Sequence, residues 1–177
     1  MFLSALLSLS ACAQTNEKKG REAMSKTLVA YFSASGNTER VAKALSEVID
    51  GADLYEIKPE KRYSREDLDW TDQQSRSSVE MKDLSYRPAM VKDLRNVEQY
   101  DVVYIGFPIW WYIAPTIINS FLESYDFSGK KIILFATSGG SGFGSAVTNL
   151  KASAPDTQII EGKVNPTASD ISKLAEM

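Results

Sequence analysis

The stretch Thr27–Thr38 reads TLVAYFSASGNT and passes from an apolar run into a loop of small and hydroxyl-bearing residues. The run Leu28–Phe32 favours a buried strand, and a helical pattern begins after the loop. A helix N-terminus offers unpaired backbone N–H groups and a partial positive charge, and Gly36 allows a close backbone approach. The stretch therefore predicts a strand, a phosphate-binding loop and a helix, in that order.

The loop lacks the signatures of two common phosphate sites. No Lys follows Gly36, as a nucleoside-triphosphate loop would require, and a dinucleotide loop would need further glycines. Its donors are uncharged hydroxyls and amides, which suit a single terminal phosphate. The alternative is an ordinary strand–helix connection capped by Asn37 or Thr38, since such residues cap helices in any protein.

Composition excludes several classes of chemistry. The 177 residues suffice for one domain, and the net charge of −3 gives no electrostatic basis for nucleic-acid binding. The chain has no His and one Cys, Cys12, which excludes His general bases, His-ligated metals and an internal disulfide. We therefore expect no metal site and no catalytic side-chain acid or base, and chemistry carried by a cofactor becomes the favoured class.

The N-terminus has the pattern of a targeting segment. Met1–Ala11 (MFLSALLSLSA) is apolar but shorter than the ~20 residues that span a bilayer, and it fits a signal-peptide core. The tetrapeptide LSAC, residues 9–12, resembles a bacterial lipobox, which implies cleavage before Cys12 and lipid attachment to it. No Lys or Arg precedes the apolar run, which departs from the signal-peptide pattern.

These features predict the organisation of the whole chain. We expect a signal peptide over residues 1–11, a lipidated polar tether over 12–25 and one domain over 26–177. The protein would lie at the bacterial cell envelope and touch the membrane only through the lipid anchor at Cys12. The alternative is a cytoplasmic protein whose apolar leader is an artefact.

Strand and helix patterns alternate through the rest of the chain, which predicts a parallel sheet. Strands are expected at Ala52–Ile57, Asp101–Phe107, Lys131–Thr137 and Thr157–Val164, and helices at Thr38–Asp50, after Pro115, from Phe143 and at Thr167–Glu176. The long insertion Lys58–Ala89 is charged and irregular. It is either a solvated surface segment or a lid that carries Tyr63 and Trp70 over a site.

Two further loops follow predicted strands. Residues 108–115 (PIWWYIAP) place large aromatic side chains at a strand end, where a flat aromatic ligand would be sandwiched. Residues 137–144 (TSGGSGFG) can present backbone N–H and C=O groups to the polar edge of a ligand. The alternatives are Trp side chains packed into the core and a mobile glycine hinge.

In this order, the loops S-x-S-G-N-T, P-I-W-W-Y and T-S-G-G-S-G-F-G resemble those of the flavodoxin family, over about Thr27–Pro166. The resemblance implies a three-layer α/β/α fold, with a five-stranded parallel sheet of order 2-1-3-4-5, and one noncovalent FMN. It implies phosphate contacts from Ser33, Ser35, Gly36, Asn37 and Thr38. It implies that the flavin ring is flanked by Pro108, Ile109, Trp110 and Trp111, and that its pyrimidine edge faces Thr137, Ser138, Gly139, Gly140 and Gly142.

The expected function is electron transfer through FMN to a redox partner protein or a small electron acceptor. Two alternatives stay open: an FMN-dependent NAD(P)H (quinone) oxidoreductase, and a flavin-binding lipoprotein without redox turnover. Many electron-carrier flavodoxins place an aromatic residue in the third loop, but here none precedes Phe143. One flavin face is therefore either covered by Trp70 or a Tyr of the insertion, or open to a nicotinamide or a quinone.

Overall fold

The computed structural model describes residues 26–177, so the predicted signal peptide, tether and Cys12 lie outside the described residues. Five strands form one sheet in the order β2-β1-β3-β4-β5, and every neighbouring pair is parallel. The strands are β1 (Lys26–Tyr31), β2 (Asp53–Glu56), β3 (Tyr100–Pro108), β4 (Lys131–Thr137) and β5 (Gln158–Val164). The predicted fold class and strand order are confirmed.

Residues 26–177 contain five helices, which are α1 (Asn37–Val48), α2 (Arg76–Lys82), α3 (Ile117–Ser124), α4 (Ala146–Lys151) and α5 (Ala168–Ala175). All but α2, which lies in the insertion, supply side chains to the cores beside the sheet. Single 3₁₀ turns lie at Glu66–Leu68 and Val97–Gln99. None of the helices within residues 26–177 has the length and apolar character needed to cross a membrane.

The near-continuous apolar strands are explained by a core on each face of the sheet. On one face, Leu28, Ala30 and Phe32 join side chains of α3 and α4. On the other face, Val29 and Tyr31 join side chains of α1 and α5. Because side chains alternate along a strand, one apolar run supplies both clusters, and the result is three layers.

Three local expectations were wrong. The helical spacing of Val41, Leu45 and Val48 predicts that they share the buried face of α1. The Val48 side chain is nevertheless 51% exposed, and Ala42 is buried instead. Phe143 lies before α4 rather than in it. The insertion contains a helix, α2, that its sequence does not predict, because the buried side of that helix is formed largely by Ser77, Ser78 and Glu80.

Candidate functional site

The predicted loops meet at the carboxyl edge of the sheet. β1 lies between β2 and β3, so the connections that follow β1 and β3 run over opposite faces of the sheet. A crevice therefore opens between the loops after these two strands. The two larger cavities at this edge have volumes of about 440 Å³ and about 460 Å³. Both are lined by Ser35, Pro108 and Ile109, which places the phosphate-loop candidate between them.

The loop after β1 is rich in free donors. Gly36 adopts φ +82° at the start of α1, a backbone conformation that favours glycine. The backbone amides of residues 33–39 donate no hydrogen bond to any acceptor within residues 26–177. The Ser33 hydroxyl is buried and has no partner among the same residues. No side chain within residues 26–177 caps α1, so the capping role that the alternative gave to Asn37 or Thr38 is wrong.

A cation lies one turn into the helix. The Nη2 of Arg40 approaches the Oδ1 of Asn37 at 3.4 Å, and the Nδ2 of Asn37 donates to the Ser35 hydroxyl at 3.3 Å. Arg40 also lines the 460 Å³ cavity. Sequence reasoning missed this residue because it lies beyond the loop motif, although one helical turn brings it back towards the loop.

The loop after β3 reverses direction through two aromatic residues. Backbone bonds of 3.0 Å in both directions join Trp110 to Ile113, and Trp111 and Tyr112 between them adopt φ +46° and +65°. Such two-residue reversals normally contain Asn and Gly, because both central residues have positive φ. Bulky aromatic residues in this conformation store strain, and strain of this kind is concentrated at functional sites.

The loop after β4 locks this reversal in place. A Cβ on Gly144 would lie 2.1 Å from the Tyr112 carbonyl oxygen, so only glycine fits there. The Ser145 amide donates to the same oxygen at 3.3 Å. The reversal leaves the Trp111 and Tyr112 side chains exposed at the rim of the 440 Å³ cavity.

Trp110 is packed differently from its neighbour Trp111. Its indole contacts the rings of Phe32 and Tyr63 edge to face, with centroids 5.7 Å and 5.4 Å away. The 440 Å³ cavity beside it is mostly apolar and includes Leu68, Trp70 and Ser77 of the insertion with Ala34, Ser35 and Pro108–Tyr112. The insertion thus forms one wall of the site, which favours the lid interpretation over that of a solvated segment.

The Gly-rich loop uses many of its polar groups internally. The Ser138 hydroxyl accepts from the amides of Gly140 and Ser141 at 3.1 Å and 2.7 Å. Asn165, after β5, accepts from the Ser138 amide at 2.8 Å and donates to its carbonyl at 2.7 Å. These bonds leave the amides of Gly139, Gly142, Phe143 and Gly144 as the loop's free donors within residues 26–177.

The predicted site residues fall into three groups. The 440 Å³ cavity is lined by Ser35, Pro108, Ile109, Trp110 and Trp111, and the 460 Å³ cavity by Ser35, Asn37, Pro108, Ile109, Thr137, Ser138 and Gly139. Ser33 lines a smaller cavity of about 300 Å³ beside Tyr63. Gly36, Thr38, Gly140 and Gly142 line none of the three.

Asn165 is a second residue that sequence reasoning missed. It lines the 460 Å³ cavity and adopts φ +47°. The dipeptide Asn165-Pro166 directly after a strand was an available signal, because Asn tolerates positive φ and Pro ends the pairing.

Comparison with known proteins identifies the family and agrees with the fold. The family model described as flavodoxin matches residues 26–176. Candidate flavoproteins from Bacteroides uniformis and Bacteroides eggerthii are each 47% identical with a TM-score of 0.80; the alignments cover 86% of this chain and 99% and 96% of theirs. A Lactobacillus acidophilus flavoprotein solved in complex with FMN is 24% identical, with a TM-score of 0.68, and the alignment covers 85% of this chain and 99% of that one.

A curated relative is more distant. NAD(P)H dehydrogenase (quinone) 1 of Rattus norvegicus is 27% identical over 140 residues, which cover 66% of this chain and 51% of the rat protein. The chain therefore spans about half the length of the curated relative that it matches.

Proposed function

The chain belongs to the flavodoxin family, and we propose that it transfers electrons from one redox partner to another, or to a small electron acceptor, through one noncovalent FMN held at the carboxyl edge of its sheet. FMN is the cofactor that the family match and an FMN-bound structural neighbour support. The observation that carries the proposal is that the amides of residues 33–39 and the buried hydroxyl of Ser33 have no hydrogen-bond partner among residues 26–177.

This donor set fits the phosphate of FMN. A phosphate ester presents several acceptor oxygens to amides at a helix N-terminus, where the partial positive charge favours an anion. We assign this role to Ser33, Ser35, Gly36 and Asn37, with Thr38 buried behind them. Arg40 adds a positive charge, and hydrogen bonds through Asn37 connect it to the loop.

The remaining residues would bind and orient the flavin ring. The aromatic side chains of Trp110 and Trp111 line the apolar part of the crevice and would shield a bound ring from water. Thr137, Ser138 and Gly139 provide polar groups in the neighbouring cavity. When bound, FMN supplies the electron-transfer chemistry, so the protein's part is binding, orientation and electrostatics rather than acid–base catalysis.

A reductase that takes hydride from NAD(P)H and passes electrons to a quinone is the second candidate. The 440 Å³ cavity is largely apolar and open, and Trp70 at its wall is 72% exposed, so a second flat ring could enter. The distant relation to the rat quinone dehydrogenase points the same way.

Cofactor titration tests the shared part of both candidates. We expect the purified protein to bind FMN and to bind riboflavin at least about 100-fold more weakly, because two charge-assisted hydrogen bonds at roughly 1.5 kcal/mol each are lost with the phosphate. Equal affinity for the two flavins would contradict the phosphate-loop assignment. A protein that stays colourless with FMN would contradict both candidates, and uptake of FMN without reversible reduction would indicate a flavin-binding protein without redox turnover.

NADPH oxidation separates the two candidates. A carrier is expected to oxidise NADPH only when a separate reductase is added, whereas a reductase would oxidise NADPH alone and reduce an added quinone. Reduction of the bound flavin by dithionite controls for its redox competence. Rapid NADPH oxidation without a partner reductase would overturn the carrier proposal in favour of the second candidate.

Attachment to the cell envelope through Cys12 is part of the proposal and rests on the sequence of residues 9–12. Labelling with radioactive palmitate during expression of the full chain is expected to mark the wild type and not Cys12→Ala. An unlabelled chain in the cytoplasmic fraction, with its leader intact, would contradict the lipoprotein assignment.

A further inference from the structure

An ion pair with a buried carboxylate lies beside the proposed flavin site, inside the insertion. The Glu80 side chain is 2% exposed, and the Nε of Arg76 donates to its Oε1 at 2.6 Å. The Tyr63 hydroxyl donates to the other carboxylate oxygen, Oε2, at 2.5 Å. Buried charges are costly unless they are paired and hydrogen-bonded, so a buried carboxylate in a polar surface insertion calls for an explanation.

The ion pair holds one aromatic ring. The Arg76 guanidinium carbon lies 3.9 Å from the centre of the Tyr63 ring, and its Nη1 donates to the Lys61 carbonyl at 2.6 Å. Burial, and then the hydrogen bond to Glu80, raise the pKa of the Tyr63 hydroxyl, so it stays protonated and donates across the physiological range. The ring is therefore fixed at its hydroxyl and across one face.

The edge contacts of this ring are made with the flavin site. Tyr63 packs against Phe32, the residue directly before the phosphate loop, with centroids 5.6 Å apart and planes at 60°. It also packs against Trp110 at 5.4 Å and 78°. Phe32 and Trp110 touch each other at 5.7 Å, so the three rings form one cluster that joins the insertion to two loops of the site.

We propose that Tyr63 is a positioning residue for the flavin site: held by Glu80 and Arg76, it fixes the Trp110 indole against Phe32 and so sets the orientation in which this indole meets the flavin ring. This inference rests on the proposed binding of FMN. It gives the insertion a specific role, which is to tune the affinity and the reduction potential of the bound flavin without touching the phosphate.

Substitution at Tyr63 tests the role directly. Tyr63→Leu, which removes the ring, is expected to weaken FMN binding about ten-fold, the scale of one lost aromatic pair, and to shift the reduction potential. Tyr63→Phe keeps the ring but loses the hydrogen bond to Glu80, so it is expected to give a smaller loss of affinity and a smaller shift of the potential than Tyr63→Leu. Tyr86→Phe removes the hydroxyl of an exposed Tyr in the same insertion and should leave affinity and potential unchanged.

A double-mutant cycle with Trp110 separates positioning from general stability. If Tyr63 acts through Trp110, Tyr63→Leu should weaken FMN binding less than two-fold in a Trp110→Leu background. A ten-fold loss in both backgrounds would overturn the proposal, and so would wild-type affinity and potential in Tyr63→Leu. If Tyr63→Leu fails to fold, a Tyr63→Phe protein with wild-type potential and wild-type Trp110 fluorescence would overturn it equally.

The apoprotein gives a readout that does not depend on FMN. Tyr63→Leu is expected to shift the tryptophan emission to longer wavelength, and the shift should disappear in the Trp110→Leu background because the remaining indoles, Trp70 and Trp111, make no ring contact with Tyr63 within residues 26–177. A wild-type protein that binds no FMN would contradict the proposed function, whereas the fluorescence result would still decide whether Tyr63 positions Trp110.

Discussion

The side-chain oxygens of Thr38 and Thr137 lie 2.8 Å apart and join the first turn of α1 to the end of β4. Thr38 is 1% exposed, whereas Thr137 is half-buried and lines the 460 Å³ cavity. The bond ties the phosphate loop to the Gly-rich loop, two segments that are 99 residues apart in the sequence. Buried hydroxyl pairs of this kind fix relative positions because either oxygen left alone would be unsatisfied.

Loss of either hydroxyl should therefore expose the coupling between the loops. Thr38→Val and Thr137→Val are each expected to lower the free energy of unfolding by about 1 kcal/mol, because each leaves one hydroxyl without its partner. The double variant should lose little more than one single variant. Urea unfolding of the apoprotein measures all four proteins, and strictly additive losses would show that the two hydroxyls do not form this bond.

Gly36 and Gly51 form a matched pair for testing the phosphate loop. Both have positive φ, +82° and +69°, and a Cβ on either would meet no atom within 4 Å. Gly36→Ala and Gly51→Ala should each destabilise the protein by about 1 kcal/mol through backbone strain alone. Only Gly36→Ala should also weaken FMN binding, because it redirects the amides of the loop. Isothermal titration measures the affinities, and an equal loss at Gly51 would contradict the assignment.

Substitution of Ser33 should weaken FMN binding without lowering the stability of the apoprotein. Its hydroxyl is buried without a partner within residues 26–177, so Ser33→Ala should leave the apoprotein as stable as the wild type or up to about 1 kcal/mol more stable. The same change should weaken FMN binding roughly ten-fold, since one hydrogen bond to a charged group is lost.

Thr116 provides the control for this test. Its hydroxyl is also buried and unpartnered among the described residues, but it lies at the start of α3, away from both cavities. Thr116→Val should therefore match Ser33→Ala in thermal unfolding of the apoprotein and bind FMN like the wild type. If Ser33→Ala bound FMN with unchanged affinity, its hydroxyl would not contact the phosphate.

The fold could be predicted from the sequence because local and global signals agree. The strand Leu28–Phe32 is apolar on both sides, which indicates a sheet covered on both faces. The loop motifs fall at the ends of the strands, in agreement with this fold. The boundaries of β4 were predicted to the residue, since Lys131–Thr137 is flanked by Gly129 and by the Gly-rich loop. FMN followed from the order of the three loop motifs rather than from any one of them.

The rest depended on tertiary contacts that leave no periodic pattern. α2 was missed because Ser78 and Glu80 on its buried side are polar and make hydrogen bonds, so the sequence shows no apolar helical period there. The reversal at Trp111 and Tyr112 was missed because aromatic residues have no preference for positive φ, and it exists only where Gly144 and Ser145 hold it. The sequence drew attention to Tyr63 as an aromatic residue in a polar segment. Its partners in α2 and at Trp110 are distant in sequence, so its contacts could not be predicted.

The decrease in the free energy of unfolding at low pH should depend on Asp53. The hydroxyl of Tyr100, at 2.7 Å, and then Lys26, at 3.1 Å, hold the pKa of this carboxyl below its ordinary value. A depressed pKa in the folded state contributes stability that is present above about pH 4 and is lost as the pH falls further.

Two variants test this contribution. Asp53→Asn should flatten the fall of the unfolding free energy below about pH 4, and Tyr100→Phe should flatten it partly, because the carboxylate then loses its strongest partner. Urea unfolding at several pH values from 5 to about 2.5 measures the slopes. An Asp53→Asn protein as steep as the wild type below pH 4 would show that this carboxyl does not contribute.

Replacement of Gly106, near the site end of β3, is expected to destabilise the protein. A Cβ there would lie 2.2 Å from the ring carbon Cζ of Phe135 on the adjacent strand β4, so Gly106→Ala should lower the free energy of unfolding by about 1–3 kcal/mol through overpacking. Gly139→Ala, where a Cβ meets nothing within 4 Å, should change it by less than about 0.5 kcal/mol. Because the clash is with one ring, Phe135→Leu should cost less in the Gly106→Ala background than in the wild type, and thermal unfolding of the four proteins of this cycle measures that coupling. Additive costs would mean that the strain in Gly106→Ala is taken up by the backbone of β3 instead, which would move Pro108 and be seen as weaker FMN binding.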